Sequence, residues 1–510
     1  MYSIVSTAVL YGIEAIPVAI EADVGSGMPS FEMVGFLASE VKEAKERVKT
    51  ALRNCGYQLP PKRITISFSP AAIRKAGAGF DLAIAIAILT ALGEVSQESV
   101  KDKFFLGELS LSGNILPVRG VLPMTAQMSE NGYRECVVPL KNQKETMLLP
   151  QMQVFGATHL QEAVAYLKGQ KQPAINIEET VSKPVKTPDF SEVNGQRAMK
   201  RACEVAVAGR HNFMMVGPPG AGKTMIAKRI PSILPPMTAK EQLEVSKIYS
   251  VCGMLDEQEG LIKNRPFRNP HHTISTAGMA GGGSVPRPGE ISLAHGGVLF
   301  LDELTEFQKS TLEILRQPLE EHRIRLVRAH GNYCYPADFM LVAAMNPCNC
   351  GYYPNVQKCR CSTAEIKRYQ NKISQPLLDR IDICVEAKSI EYAQLTQKAK
   401  NESSAQIRTR VIRAQERQKD RYQNQSYRYN SQIPSKDISI FCVLDRQQEK
   451  EMQKIYETLE LSVRSYHKIL KTARTIADLE GEERIKTEHL YEAVCYRTLD
   501  KKFWENRYEV

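Results

Sequence analysis

Residues 213–230 read FMMVGPPGAGKTMIAKRI. Four apolar residues run into a glycine-rich turn, and a stretch with helical spacing follows. That order predicts strand, loop and helix, the setting in which G-x-x-x-x-G-K-T binds phosphate. In Gly217-Pro218-Pro219-Gly220-Ala221-Gly222-Lys223-Thr224 the glycines let backbone N–H groups turn inward around an anion, and the helix N-terminus adds partial positive charge. Lys223 is then placed to bridge the β- and γ-phosphates of ATP, and the Thr224 hydroxyl to hold Mg2+.

A second strand supplies the partner. GGVLFLDEL at 296–304 lies about 75 residues downstream. Val298 to Leu301 read as a buried central strand that delivers Asp302 and Glu303 to its C-terminal end, where ligands gather in open α/β sheets. Asp302 is expected to hold Mg2+ directly or through water, and Glu303 to polarise the attacking water as general base. DFMLVAAMNP at 338–347 predicts a third strand ending at Asn346, which can orient the water or the γ-phosphate. SQPLLDRIDI at 374–383 carries Arg380, either an arginine that reaches a neighbouring subunit's nucleotide or one that pairs with Asp379 or Asp382.

Between Asn346 and Arg380, NPCNCGYYPNVQKCRC holds Cys348, Cys350, Cys359 and Cys361, four of the twelve cysteines. Two C-x-C pairs can close a tetrahedral four-cysteine zinc site, or they can be four reduced thiols on a surface loop. A reducing, cytoplasmic setting favours metal over disulfide.

Outward from this core, 510 residues are too many for one domain. Residues 1–168 read as an α/β domain. Its opening residues predict a pair of strands rather than a signal peptide. RITISFSP predicts a half-buried strand through Ile64, Ile66 and Phe68. Ser39 to Gly56 and FDLAIAIAILTALG predict helices, the second buried, and QEAVAYLKG a last one ending at Gly169. Residues 169–188 read as a proline-containing polar linker, 189–385 as the ATPase core, and 386–510 as a helical domain. No membrane-spanning run is present. A net charge of +10 permits nucleic-acid binding without requiring it. Arg323, Arg325, Arg328 and His330 lie within eight residues on a predicted hairpin, which suits either a phosphate backbone or a protected sheet edge. The basic stretch near 408–421 suits a solvated helix face or DNA.

Taken in order, GPPGAGKT, RPFRNPHHTISTAGMAGGGSVPRPGEISLAHGGVLFLDEL, NPCNCGYY, LLDRIDI and LSVRSYHKILKTARTIADL resemble the YifB/ComM group of magnesium-chelatase-like AAA+ ATPases over nearly the whole chain. The resemblance implies an N-terminal Lon-protease-like α/β domain, a central AAA+ P-loop domain and a C-terminal helical lid. It implies ATP and Mg2+ as ligands and a homo-hexamer. It also implies the activity of ComM-type members, a DNA helicase that promotes branch migration in natural transformation. Asn346 matches sensor 1, Arg380 the trans-acting arginine finger, and Arg464 the sensor 2 arginine that a lid helix folds onto the nucleotide, with Arg474 as the alternative. His271 and His272 fall in an inserted segment that faces the pore in related helicases; a turn pair or core histidines are the ordinary reading. In Lon enzymes a Ser–Lys dyad cleaves peptides. Here Asp81, flanked by Phe80 and Leu82, stands where the serine belongs, and Leu122 and Met124 stand near the lysine position, so no peptidase activity is expected. A protein client recruited through that domain is the alternative partner to single-stranded or branched DNA. Magnesium chelation is not expected, since no metal-insertion partner domain is evident.

Overall fold

The computed structural model describes residues 1–147, 149, 151–172, 188–256, 260–283, 285–328, 331–355, 357–388 and 401–504, with side chains to 497. Most of the expected linker, and His330, lie outside the described residues.

The N-terminal region is built on a seven-stranded mixed sheet. Its order is Ser30–Val34, Arg63–Ser69, Glu14–Gly25, Tyr2–Tyr11, Lys103–Phe105, Glu135–Pro139 and Gln153–Ala157. The first two long strands pair antiparallel from Tyr2↔Asp23 to Tyr11↔Glu14, the strand pair expected from the opening residues. Ile64, Ile66 and Phe68 are buried on alternate positions of their strand, as the period-two pattern requires. Helix Ser39–Asn54 buries Val41, Ala44, Val48, Ala51 and Leu52, one apolar stripe. Every residue of helix Asp81–Ala91 is buried, which explains its lack of a polar face. Each Ile or Leu buried there contributes about 1.5–3 kcal/mol.

The second region holds a five-stranded parallel sheet. Its order is Phe267–Arg268, Val298–Leu301, Met340–Met345, Phe213–Val216 and Ile383–Glu386. Both faces are covered, so the three central strands are apolar throughout rather than alternating. Phe213 and Met215 enter one core with Phe300 and Val342; Met214 and Val216 enter the other with Leu299 and Leu301. The register is what positions the site. Val216 pairs with Met345 and Leu301 with Ala343, so Gly217, Asp302 and Asn346 all leave the sheet at its C-terminal end.

Helices Ser404–Arg421, Arg446–Thr458, Val463–Glu480 and Thr487–Trp504 follow. Ile407, Val411, Ile469 and Ile476 share the Phe213 core, so these helices pack on the parallel sheet itself. The N-terminal and second regions touch directly. Glu145 accepts a hydrogen bond from Ser250 Oγ at 2.6 Å, and Gly120 N–H donates to the Ser250 carbonyl at 2.9 Å.

Candidate functional site

The Phe213–Val216 strand ends at Gly217, where a Cβ would lie 2.2 Å from the Ala387 carbonyl oxygen of the neighbouring chain segment. Only glycine allows that approach. From there the turn passes to helix Lys223–Ala227. Lys223 is 9% exposed, and its ammonium donates to the carbonyls of Gly217 (2.6 Å) and Pro218 (2.9 Å) and to Asn346 Oδ1 (3.1 Å). Burial pulls its pKa down to about 8, against the opposing pull of Asp302 and Glu303. Thr224 Oγ1 donates to Asp302 Oδ2 at 2.6 Å. A hydroxyl and a carboxylate oxygen already adjacent are the hard donors Mg2+ takes, so the residues present fit that ion.

Glu303 is 63% exposed and sits in the left-handed region at φ 51°, its N–H donating to Asp302 Oδ1 at 3.0 Å. For a non-glycine residue that conformation is uncommon, and it turns the backbone out of the strand. The residue facing it is His272, whose Nδ1 lies 4.0 Å from Glu303 Oε2. His271 packs against His272 with ring centroids 4.1 Å apart, and the Phe307 ring stands edge-on to His272 at 6.4 Å. The sequence offered a pore position or a turn for this pair. The placement of His272 beside Glu303 was missed. The sequence carried no local signal for it, because the pairing of Phe267–Arg268 with the strand that carries Asp302 joins residues about 30 apart.

Arg380 does not pair with Asp379 or Asp382. Its guanidinium donates to the carbonyls of Arg316 (3.1 Å) and Pro376 (2.5 Å) and to Glu320 Oε1 (2.5 Å). Arg464, 68% exposed, lies 3.6 Å from Asp379. Both arginines line a cavity of about 410 Å3 together with His467, Lys468 and Lys471, and no residue of the 217–224 loop lines it. The structure thus brings Lys223, Thr224, Asp302, Glu303 and Asn346 together and sets Arg380 and Arg464 apart as a second group. Arg474, the alternative to Arg464, is engaged within the helical region. It is 3% exposed and bonds Asp478 and the carbonyls of Glu482 and Glu483.

The four clustered cysteines have their sulfurs within 4.8 Å of one another. Packed this closely they compete for protons. Burial pushes Cys359 up to about 12, while N–H groups of Tyr352 and Arg360 overcome burial and hold Cys350 near 6. In the N-terminal region Asp81 is fully buried and bound by Arg47 (2.8 and 3.1 Å) and by Leu109 N–H (3.2 Å). Leu122 and Met124 are buried in helix Val121–Glu130. Arg323 and Arg325 are half exposed on the Arg323–Arg328 strand and share Glu321. On helix Ser404–Arg421, Arg410 pairs with Glu204 and Glu402, and Arg421 with Asp478. Those two cations are engaged within the chain.

A parallel sheet whose strand tips gather a glycine-rich loop, a Thr–Asp pair and a second carboxylate defines a P-loop protein of the α/β class. Three family models match: magnesium chelatase, subunit ChlI, over residues 189–395; subunit ChlI of Mg-chelatase over 20–142; and the ChlI C-terminal model over 401–497. The chain is 40% identical to YifB of Salmonella typhimurium over 500 residues, covering 98% of this chain and 97% of that one. It is 40% identical to the competence protein ComM of Haemophilus influenzae over 508 residues, covering 97% and 98%. Lon protease 2 of Bacillus subtilis is 28% identical over 200 residues, covering 34% of this chain and 36% of that one. The chain belongs to the YifB/ComM family of magnesium-chelatase-like AAA+ proteins. Among the described residues, no helix is long and apolar enough to cross a membrane.

Proposed function

We propose that the protein is a cytoplasmic ATP hydrolase that works as a ring of six copies and drives movement on single-stranded or branched DNA. The observation that carries this reading is the separation of the two polar groups. Lys223, Thr224, Asp302, Glu303 and Asn346 converge at the C-terminal end of the sheet, while Arg380 and Arg464 line a cavity the phosphate loop does not share. A site so divided suits a ring in which each nucleotide sits between copies.

In this reading Lys223 and the loop N–H groups bind the β- and γ-phosphates, and Thr224 and Asp302 hold Mg2+, which spreads the phosphate charge when bound. Glu303 takes the proton of the attacking water, and Asn346 orients it. Arg380 leaves Glu320 to meet the nucleotide of the next copy, and Arg464, on the same cavity, acts beside it rather than folding onto its own chain's loop. The similarity to a protein named for competence supports DNA as the track and uptake or recombination of DNA as the setting. Exposed Arg323 and Arg325 supply the positive charge a phosphate backbone needs. The N-terminal region is taken to be without peptidase activity, because Asp81 is consumed by Arg47 and has no free edge toward a substrate.

The test is ATP hydrolysis measured against single strands, duplexes, forks and four-way junctions while the oligomer is followed by light scattering. Stimulation by forked or single-stranded DNA in a hexamer is expected. A hexamer indifferent to every DNA would sink the proposal.

A second reading, a machine that remodels a protein client, is favoured by one feature. A cavity of about 700 Å3 runs between the N-terminal region and the hairpin, lined by Phe36, Gly77, Gly79, Arg119 and Tyr333 among others. It predicts stimulation by a protein and none by DNA.

A further inference from the structure

We propose that Cys348, Cys350, Cys359 and Cys361 bind one zinc ion as a tetrahedral thiolate centre, and that this centre holds the loop against which the phosphate-binding turn is seated. The second half rests on the nucleotide site proposed above; the first half stands without it.

The sulfur geometry carries the first half. Zn–S bonds of about 2.3 Å give a tetrahedron whose S···S edges are about 3.8 Å. The Cys348–Cys350, Cys350–Cys359 and Cys348–Cys359 sulfurs are 3.4, 3.5 and 3.8 Å apart. All four sulfurs fall within 4.8 Å of one another, and none is in a disulfide. Disulfide bonding would draw sulfurs to about 2.05 Å in pairs; these stay apart yet all lie within reach of one ion. Four soft sulfur donors gathered this closely select zinc in a structural site over Mg2+ or Ca2+. Tyr353 N–H points at Cys348 Sγ (3.4 Å), the kind of outer bond that orients a ligating sulfur.

The surroundings carry the second half. Gly351 lies between the two cysteine pairs at φ 83°, and a Cβ there would be 2.5 Å from Cδ of Pro219 in the phosphate loop. The cysteine loop therefore lies with its backbone directly on that turn. Its other end, Ser362, follows Cys361 and caps helix Thr363–Gln370 in a box with Glu365. At the end of that helix Tyr369 OH accepts from Thr305 Oγ1 at 2.7 Å, two residues beyond Glu303, and Gln370 Nε2 donates to the Pro347 carbonyl at 3.4 Å. One metal ion would thus fix a segment that touches the phosphate loop at Pro219, the Asn346 strand end at Pro347 and the Glu303 turn at Thr305. A loop this short has little apolar burial with which to hold itself, and a metal supplies the folding energy instead.

The experiment uses the full-length protein prepared without a polyhistidine tag. Elemental analysis is expected to give about one zinc per chain. A mercurial thiol reagent should release it, as read by a chelating dye. The stripped protein should bind a fluorescent ADP analogue severalfold more weakly and recover when reductant and zinc chloride are restored. Gly351→Ala keeps all four ligands, so it should retain zinc while losing nucleotide affinity. Protein that carries no metal and whose four thiols react freely overturns the centre, and iron in place of zinc overturns the zinc assignment. Zinc present, with nucleotide affinity unchanged both on stripping and in Gly351→Ala, overturns the coupling. Zinc present in a protein that binds no nucleotide at any stage defeats the nucleotide reading and leaves the centre standing.

Discussion

The Lys223 ammonium is held by two backbone carbonyls and one amide oxygen while burial pulls its pKa to about 8. Phosphates favour the charged amine, so nucleotide binding takes up a proton wherever that amine is otherwise neutral. Below about pH 8 the amine is charged and affinity is full; above it affinity falls, until the bound form also titrates. Calorimetric titration in two buffers of different ionisation enthalpy should show proton uptake near pH ~8.5, and a flat profile from pH ~7 to ~9 would count against it. At the same scale, Lys223→Ala should abolish binding of a fluorescent nucleotide. Glu303→Gln should bind it normally and release no phosphate, because the amide keeps the shape and loses the base. Glu303→Gln that still hydrolyses ATP would move the base elsewhere, with His272 the adjacent candidate.

Among the elements, helix Val463–Glu480 depends on one carboxylate. Asp478 is buried and accepts from Arg421 (2.8 Å), Arg474 (3.1 Å) and Asn430 (2.8 Å), three different segments. Removing it leaves guanidinium groups without a counter-charge in a dry setting. Asp478→Ala should therefore cost about 3–5 kcal/mol in the helical region, read as an earlier first transition in denaturant. An unchanged transition would mean water reaches those arginines. Elements are also where sequence and structure divide most clearly. The strand ending at Gly217, the strand ending at Glu303 and the stripe of helix Ser39–Asn54 were legible because each is written in adjacent residues with a fixed period. The Thr224–Asp302 bond and the Lys223–Asn346 bond were implied only by motif order, since strand neighbours in a parallel sheet are set by pairings far apart in the chain. The surroundings of Arg464 and His272 were not legible for the same reason. Nothing local to LSVRSYHKIL says that its arginine sits beside Asp379, and nothing in NPHHT says that the second histidine looks at Glu303.

For the whole molecule, a ring with Arg380 working on the next copy makes a prediction that a self-contained site does not. Lys223→Ala and Arg380→Ala should each be inactive alone. Mixed in equal amounts and allowed to exchange, they should recover roughly a quarter of the wild-type rate, the share of interfaces pairing an intact loop with an intact arginine in a closed heterologous ring. No recovery, with mixed rings demonstrated, would place both residues in one chain's site. The N-terminal region enters at this scale too. Tyr11 OH accepts from Asn332 N–H at 3.1 Å, and its ring lies 4.9 Å from that of Tyr333, so the first strand pair of the chain braces the return strand of the basic hairpin.

Asn212 immediately precedes the phosphate-loop strand. Its Oδ1 accepts from Leu341 N–H (3.0 Å) and its Nδ2 donates to the Arg380 carbonyl (2.9 Å), while its own N–H meets Asp382 (3.0 Å). One amide side chain thus bolts the root of the phosphate strand to the backbone of Arg380. A tilt of that strand would reach the Arg380 backbone through these bonds. In the ring proposed above, each copy would act as a rocker arm, its stroke setting the reach of the next.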